Sequence, residues 1–424
     1  MKNKKKLGVY TPLAKSSPIY DCGYGVGFRE DESVFMQIFS SFSIDKYQRY
    51  CTSLIKKGYR YLHTDIIDNF VSNSYLKDDQ LVYTYYNLKT EVLRVIEDNV
   101  SAPKFSFDYE SEEETTSTLY QYGLYYAPVY KEIGKSEDCG MLYILSLSDG
   151  KYILIDGGHH IQATDDMIDG LYRFLKEHTT TDKVEIACWI CTHGHSDHTE
   201  VFSKLIRVYH SDIVLERCMF NFPRYQAFTK SDAESEDLLK SRIREYYPDV
   251  LYVKPHTGQT FRLANCGIEI LYTHEDCVGD LDGVSINQNS YNDASIVFRL
   301  NYDHTSFLVL GDIWKYAEKV MIRNYSDKAY KCNILQVAHH GFNNLPMIYS
   351  HIPRRIVLMY PQVKTHIDAY RGVDVDVYDM LISTLDPEAV YFEGAGTDAI
   401  KFVTGVIHHQ HYDLVGGEYD GSAL

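Results

Sequence analysis

Apolar positions along the first hundred residues follow two different periods. In "DKYQRYCTSLIKKGY" (45–59) they fall three and four apart, which predicts a helix. In "DQLVYTYYNLKTEVLRVIED" (79–98) Val, Tyr and Thr dominate, which predicts extended segments. A polar acidic stretch, "DYESEEETTST" (108–118), then reads as an exposed connector. From about residue 138 the pattern changes again. "GMLYILSLSDGKYILIDGG" predicts two strands around a Ser-Asp-Gly turn. "DDMIDGLYRFLKEH" predicts an amphipathic helix, "KVEIACWICTH" a buried strand, and "TEVFSKLIRVYH" a helix with Val201, Leu205, Val208 and Tyr209 on one side. Strands "GIEILYTH", "ASIVFRLNY" and "SFLVLGD" follow, then the helix "IWKYAEKVMIRN" and the strands "NILQVAHHG", "RIVLMY", "AVYFE" and "AIKFV". The expected organisation is a small α+β unit over 1–130 and an α/β unit over 138–424, with sheets inside and helices outside.

Composition narrows the partners. The 42 Lys and Arg against 59 Asp and Glu give a formal charge of −17, which disfavours a long nucleic-acid footprint. The start "MKNKKKLGVYTPLAK" carries lysines with no apolar run behind it, and no stretch approaches the length of a membrane span. A soluble, cytoplasmic protein without a membrane partner is expected; the oligomeric state is not legible. Nine cysteines at irregular spacing point to reduced thiols, and the "CWIC" pair (Cys188, Cys191) lies inside a strand pattern, where it reads as core. The 38 tyrosines read as half-buried strand and interface positions.

The chemistry concentrates in "CTHGHSDHTE" (191–200). His193, His195, Asp197 and His198 fall within six positions at a strand end, just before a helix. Imidazole nitrogens and carboxylate oxygens suit zinc and its neighbours in the transition series. The period of two in a strand sends His193 and His195 to one side, and Asp197 and His198 can face the same cavity from the turn. A solvated loop gains nothing from three imidazoles.

These residues resemble the H-x-H-x-D-H signature of the metallo-β-lactamase superfamily, and further motifs follow in order. "ILIDGG" looks like that family's first motif, with Asp156 orienting the ligands. "FLVLGD" resembles the strand that brings a bridging carboxylate, Asp312, and "LQVAHHG" the one that brings the last histidine, His340. The segment "NDASIVF", the "AHHG" and a late "GTDAI" resemble the hydrolase domain of bacterial competence DNA-uptake channels (ComEC-like), over about 138–404. The resemblance implies an αββα sandwich. One metal would be held by His193, His195 and Asp312, and the other by Asp197, His198, His340 and Asp312. Two ions, zinc first and manganese or iron as alternatives, would then acidify a bound water toward neutrality.

Two features depart from the pattern. The subgroup often carries Asp where this chain has His195, and the superfamily's further histidine is absent, with Tyr291 and Asn292 in its place. His274 could fill that gap, although a polar residue at a strand edge is the plainer reading. His339 could contact substrate, His366 could protonate a leaving group, and Asp197 could orient the water while ligating. His159 and His160 receive no role, and "HHQH" (408–411) reads as solvated surface. The expected function is metal-dependent hydrolysis of a phosphodiester, on a small or short substrate. Hydrolysis of a carboxylic ester, lactone, amide or thioester is the alternative within enzymes. A non-catalytic metal- or ligand-binding regulatory module is the alternative of another class.

Overall fold

The computed structural model describes residues 11–12, 26–29, 34–99, 101–111, 116–124, 140–223, 236–277, 291–342, 344–362, 377–393, 396–403, 406–415 and 418–419. The N-terminal unit contains β1 (Thr11–Pro12), β2 (Val26–Arg29), β3 (Val34–Phe39), α1 (Ile44–Lys56), β4 (Arg60–Ile67), β5 (Phe70–Lys77), β6 (Gln80–Asn87) and β7 (Val92–Asp98). The strands form one sheet in the order β1-β2-β3-β7-β6-β5-β4. Tyr47, Tyr50 and Leu54, spaced at three and four, bury one face of α1 against Phe39, Tyr75, Tyr86 and Val95 of the sheet. The unit is α+β, as its sequence periods imply.

The rest of the chain is a two-sheet sandwich. Its strands are β8 (Thr118–Gln121), β9 (Leu142–Ser146), β10 (Tyr152–Asp156), β11 (Val184–Ile190), β12 (Ile213–Leu215), β13 (Arg217–Met219), β14 (Leu251–Val253), β15 (Thr260–Leu263), β16 (Cys266–Tyr272), β17 (Val297–Tyr302), β18 (Thr305–Val309), β19 (Ile334–Gln336), β20 (Val357–Tyr360), β21 (Ala389–Phe392), β22 (Gly396–Val403), β23 (Val406–Val415) and β24 (Glu418–Tyr419). One sheet runs β14-β13-β11-β10-β9-β8-β22-β23-β24 with β12 also on β11, and the other runs β15 to β21 in sequence order. Ile153, Ile155 and Ile190 of the first sheet meet Ile268, Phe298, Val309 and Val357 of the second in one dry layer. Helices α2 (Asp165–His178), α3 (Glu200–Val208) and α4 (Glu236–Tyr246) cover the outer face of the first sheet. Helices α5 (Lys315–Asn324), α6 (Pro346–His351) and α7 (Val377–Leu385) cover that of the second. The architecture is αββα. Strand β8 lies on the N-terminal side of the expected division at 130, yet it pairs with β9 and β22 inside the sandwich.

Both sheets contain parallel runs, β10-β11-β13-β14 and β18-β19-β20-β21. Their carboxyl ends therefore come to one edge, where an open α/β sheet leaves room for a site.

The N-terminal sheet packs beside that sandwich through apolar and ionic contacts. Met36, Tyr83, Tyr85 and Ile96 join the core that contains Leu271, Tyr272 and Tyr325. These tyrosines are wholly buried rather than half-buried, because their hydroxyls find acceptors: Tyr83 donates to the Thr257 carbonyl at 3.2 Å and Tyr85 to Asp276 Oδ1 at 3.2 Å. The expected connector is also tied down. Ser117 N–H donates to Asp303 Oδ2 at 2.6 Å and Arg262 N–H to Asp108 Oδ1 at 3.1 Å.

Between the units lies buried His256, with Nδ1 2.9 Å from Glu275 Oε2 and Nε2 3.3 Å from Asp98 Oδ2 on β7. Burial alone would disfavour the imidazolium, but Glu275 and then Asp98 outweigh it and raise the His256 pKa to about 9. Burial pushes the Glu275 carboxyl up, and His256 overrides this and holds it down at about 2. His256 thus binds its proton more tightly folded than unfolded, so its contribution is full below 6.5 and lost as pH rises through about 9. Glu275 binds its proton more weakly folded, so its contribution is full above 4.5 and lost as pH falls toward 2. His256→Gln removes the cation that two buried carboxylates share and should destabilise the protein by about 3 kcal/mol near pH 6. The gap between wild type and variant in urea unfolding should narrow sharply by about pH 10. A gap independent of pH would contradict the assignment.

Candidate functional site

The loops at the carboxyl edge bring the expected residues together. Asp156 ends β10 with φ 57°, a strained left-handed backbone for a non-glycine residue. This turn lets its carboxylate reach sideways to β11: Oδ1 accepts the Thr192 N–H at 2.7 Å, and Oδ2 accepts the Thr192 hydroxyl at 2.9 Å. Oδ2 also lies 2.7 Å from His198 Nδ1, which turns His198 Nε2 inward. His193 is held by Thr192 Oγ1 at 3.1 Å from its Nδ1, and its Nε2 lies 2.9 Å from His195 Nδ1. The Tyr291 ring packs on His195 with centroids 4.9 Å apart.

Asp312 sits at the centre. Its Oδ2 is 3.2 Å from His198 Nε2, 3.6 Å from His340 Nε2, and 3.9 Å from both His193 Nε2 and His339 Nε2. His340 Nδ1 donates to the Pro361 carbonyl at 2.9 Å, leaving Nε2 to face Asp197 Oδ2 at 3.3 Å. Gly341 follows with φ 79°, and a Cβ there would collide with the Tyr360 hydroxyl and ring edge. The turn that carries Asp312 is clamped by Gln336, which is fully buried. Its Oε1 accepts the Leu310 and Gly311 N–H groups, each at 2.7 Å, and its Nε2 donates to the Gly311 and Val337 carbonyls at 3.1 and 2.6 Å. Ser295 Oγ accepts the Asp312 N–H at 3.0 Å, and Asp293 Oδ1 accepts the Trp314 and Ala317 N–H groups at the start of α5. No motif marks Gln336 in the sequence; its one signal is a polar residue at the centre of the apolar strand "NILQVA".

The electrostatics call for positive charge. Burial pushes the Asp312 carboxyl up, but His198, His340 and His339 outweigh it and hold it well below the usual carboxylate range. Asp197 behaves alike, with His198 and His340 overcoming burial. Burial works against the His198 imidazolium, yet Asp312, Asp156 and Asp197 together raise its pKa far above normal. His193 is driven far down, first by burial and then by His198 and His195, so it stays a neutral donor.

One ligand atom from each of Asp197, His198, Asp312 and His340 falls within 4.8 Å of the others, which suits a single cation. Asp312 Oδ1 is buried with no hydrogen-bond partner among the described residues, a cost that a cation on the carboxylate removes. The donor set is nitrogen and oxygen, as transition-metal ions of the zinc kind prefer. Cys191 stays outside it, its thiol contacting the His193 carbonyl at 3.1 Å.

The other candidates fall elsewhere. His274 Nε2 engages Asn221 Oδ1 at 2.9 Å. His159 lies at the rim, its Nδ1 accepting the Ile161 N–H, and burial lowers its pKa to about 4 against the pull of Asp197. His409 and His411 each lie 2.8 Å from Asp398 Oδ1 on β22. His366 lies outside the described residues. No helix among the described residues is long and apolar enough to cross a membrane.

No protein-family model and no curated protein matches the chain. Among solved structures it is similar to the metallo-β-lactamase fold protein YhfI from Bacillus subtilis, at 10% identity, over 70% of this chain and 100% of that one, with a TM-score of 0.39. It is also similar to Zn(2+)-bound PqqB from Methylobacterium extorquens, at 8% identity, over 66% and 99% of the two chains, with a TM-score of 0.37. A third is CmlA, a diiron β-hydroxylase from Streptomyces venezuelae, at 12% identity, over 77% and 60%, with a TM-score of 0.31.

Proposed function

We propose that the chain is a metal-dependent hydrolase of the metallo-β-lactamase superfamily that acts on a phosphodiester. The observation that carries the reading is the convergence on Asp312 Oδ2 of four imidazole nitrogens within 3.9 Å, with Asp197 facing the same point. One carboxylate among two groups of histidines is what a pair of cations needs. Asp197, His198 and His340 would hold one ion, His193 and His195 the other, and Asp312 both. When bound, such ions act as Lewis acids, lower the pKa of water and orient the reacting groups.

The chain's own groups prepare that chemistry. Asp156 and the Pro361 carbonyl fix the tautomers of His198 and His340, so that each Nε2 keeps its lone pair inward. Asp197 stays ionised at working pH and its carboxylate can accept a hydrogen from a water, aiming the oxygen lone pair at the substrate. Phosphodiester is favoured over acyl substrates by the resemblance of "NDASIVF" and "AHHG" to the competence-channel hydrolase domain, and His366 would give the leaving oxygen its proton. The formal charge of −17 favours a small or short substrate over a long polyanion.

The test is a screen of the metal-replete protein against bis-p-nitrophenyl phosphate and chromogenic lactam, lactone and thioester substrates. Phosphodiester turnover that rises with pH through neutrality and disappears on chelation is expected. Cleavage of a lactone or thioester with no phosphodiester turnover would overturn the substrate class while leaving the metal reading intact.

A further inference from the structure

Asn292 occupies the place where the resemblance expects a histidine, so the ion held by His193 and His195 is one imidazole short. We infer that His339 supplies it, an assignment that rests on the two-ion reading above. His339 Nε2 and His193 Nε2 stand at the same distance, 3.9 Å, from Asp312 Oδ2. His274, the substitute suggested by the sequence, is engaged with Asn221.

The backbone explains how two neighbouring histidines serve one site. In an extended strand, adjacent side chains point to opposite faces, so His339 and His340 could not both turn to Asp312. Here His339 (φ 48°, ψ 54°) and His340 (φ 51°, ψ 21°) are both left-handed, and Gly341 follows with φ 79°. Two successive non-glycine residues in this region are strained. The result is that both Nε2 atoms face the same carboxylate oxygen, at 3.9 and 3.6 Å. The turn is pinned from both ends, by His339 N–H to the Gly311 carbonyl at 3.0 Å and Phe342 N–H to the His339 carbonyl at 2.8 Å.

Asn292 stands beside the proposed ligand atom. Its Nδ2 lies 3.2 Å from His339 Nε2. The amide N–H and an ion compete for the single lone pair on that nitrogen, so an ion bound there displaces the Asn292 contact. His339 would thus complete the set with His193, His195 and Asp312, and His340 would serve the set with Asp197 and His198. Under this assignment His339 binds the ion.

Glycine adopts the left-handed backbone without strain, so His339→Gly removes the imidazole and spares the turn. Wild type, His339→Gly, His274→Gln and Asp312→Ala, loaded with cobalt(II) and dialysed, are compared by metal counting and by visible absorption of the bound cobalt. Near-equal melting temperatures confirm folding. The expected result is two ions in wild type and in His274→Gln, and one in His339→Gly. Added imidazole should restore the second ion and the wild-type spectrum to His339→Gly. Two ions with an unaltered spectrum in His339→Gly, or loss of an ion from His274→Gln, overturns the assignment. If His339→Gly keeps its ions while Asp312→Ala loses them, the role of His339 falls and the metal reading stands. If wild type binds no cobalt, both fall.

Discussion

Asp197→Ala is expected to lower turnover of bis-p-nitrophenyl phosphate at least about a hundredfold, equivalent to about 2.7 kcal/mol in the barrier. The side chain is only 14% exposed, with Oδ2 3.3 Å from His340 Nε2 and Oδ1 3.8 Å from His198 Nε2. His198 and His340 overcome burial and keep it ionised far below neutrality, so its charge is present across the working range. The substitution removes a metal donor and the acceptor that orients a water in one step. Asp197→Asn keeps the size and loses the charge, and it should fall nearly as far. Initial rates at saturating metal check both variants, and wild-type turnover in either would show that Asp197 has no part in the reaction.

The second large effect is on stability. Gln336→Leu is close in volume, but it removes the bonds to the Leu310 and Gly311 N–H groups and to the Val337 carbonyl, leaving the Gly311 carbonyl only the His339 N–H. Each unmade bond to a buried polar group costs about 1–3 kcal/mol, so a loss of at least about 3 kcal/mol is expected even with partial relaxation. Because Gly311 precedes Asp312 and its carbonyl also receives the His339 N–H, metal content should fall in the same variant. Urea unfolding and metal counting read the two effects. A stability loss below about 1 kcal/mol would mean that the turn holds itself without the Gln336 clamp.

Much of this was legible because it is local. His193, His195, Asp197 and His198 sit within six residues, and their convergence needs only a strand end and one turn. Asp312 and His340 were legible through their strands, "FLVLGD" and "LQVAHHG", each of which ends at the same edge. What the sequence concealed depends on distant partners. No motif marks Asp98, His256 or Glu275, and only the packing of β7 against the sandwich makes them one buried cluster. Strand β8 is four residues long beside an acidic stretch, too short for its period to show that it belongs to the second unit's sheet. The turn of His339 toward Asp312 was hidden for another reason: strand periodicity predicts opposite faces for adjacent residues, and the left-handed backbone reverses that.

Counting the metal in purified protein by inductively coupled plasma mass spectrometry is the direct test of whether these residues hold transition-metal ions. Between one and two ions per chain are expected in protein purified without added metal, zinc before manganese or iron. Asp312→Ala should fall well below wild type, because that carboxylate lies between both sets of histidines. A folded wild-type chain that carries no transition metal, and takes up none when it is offered, would show that the cluster is not a metal site.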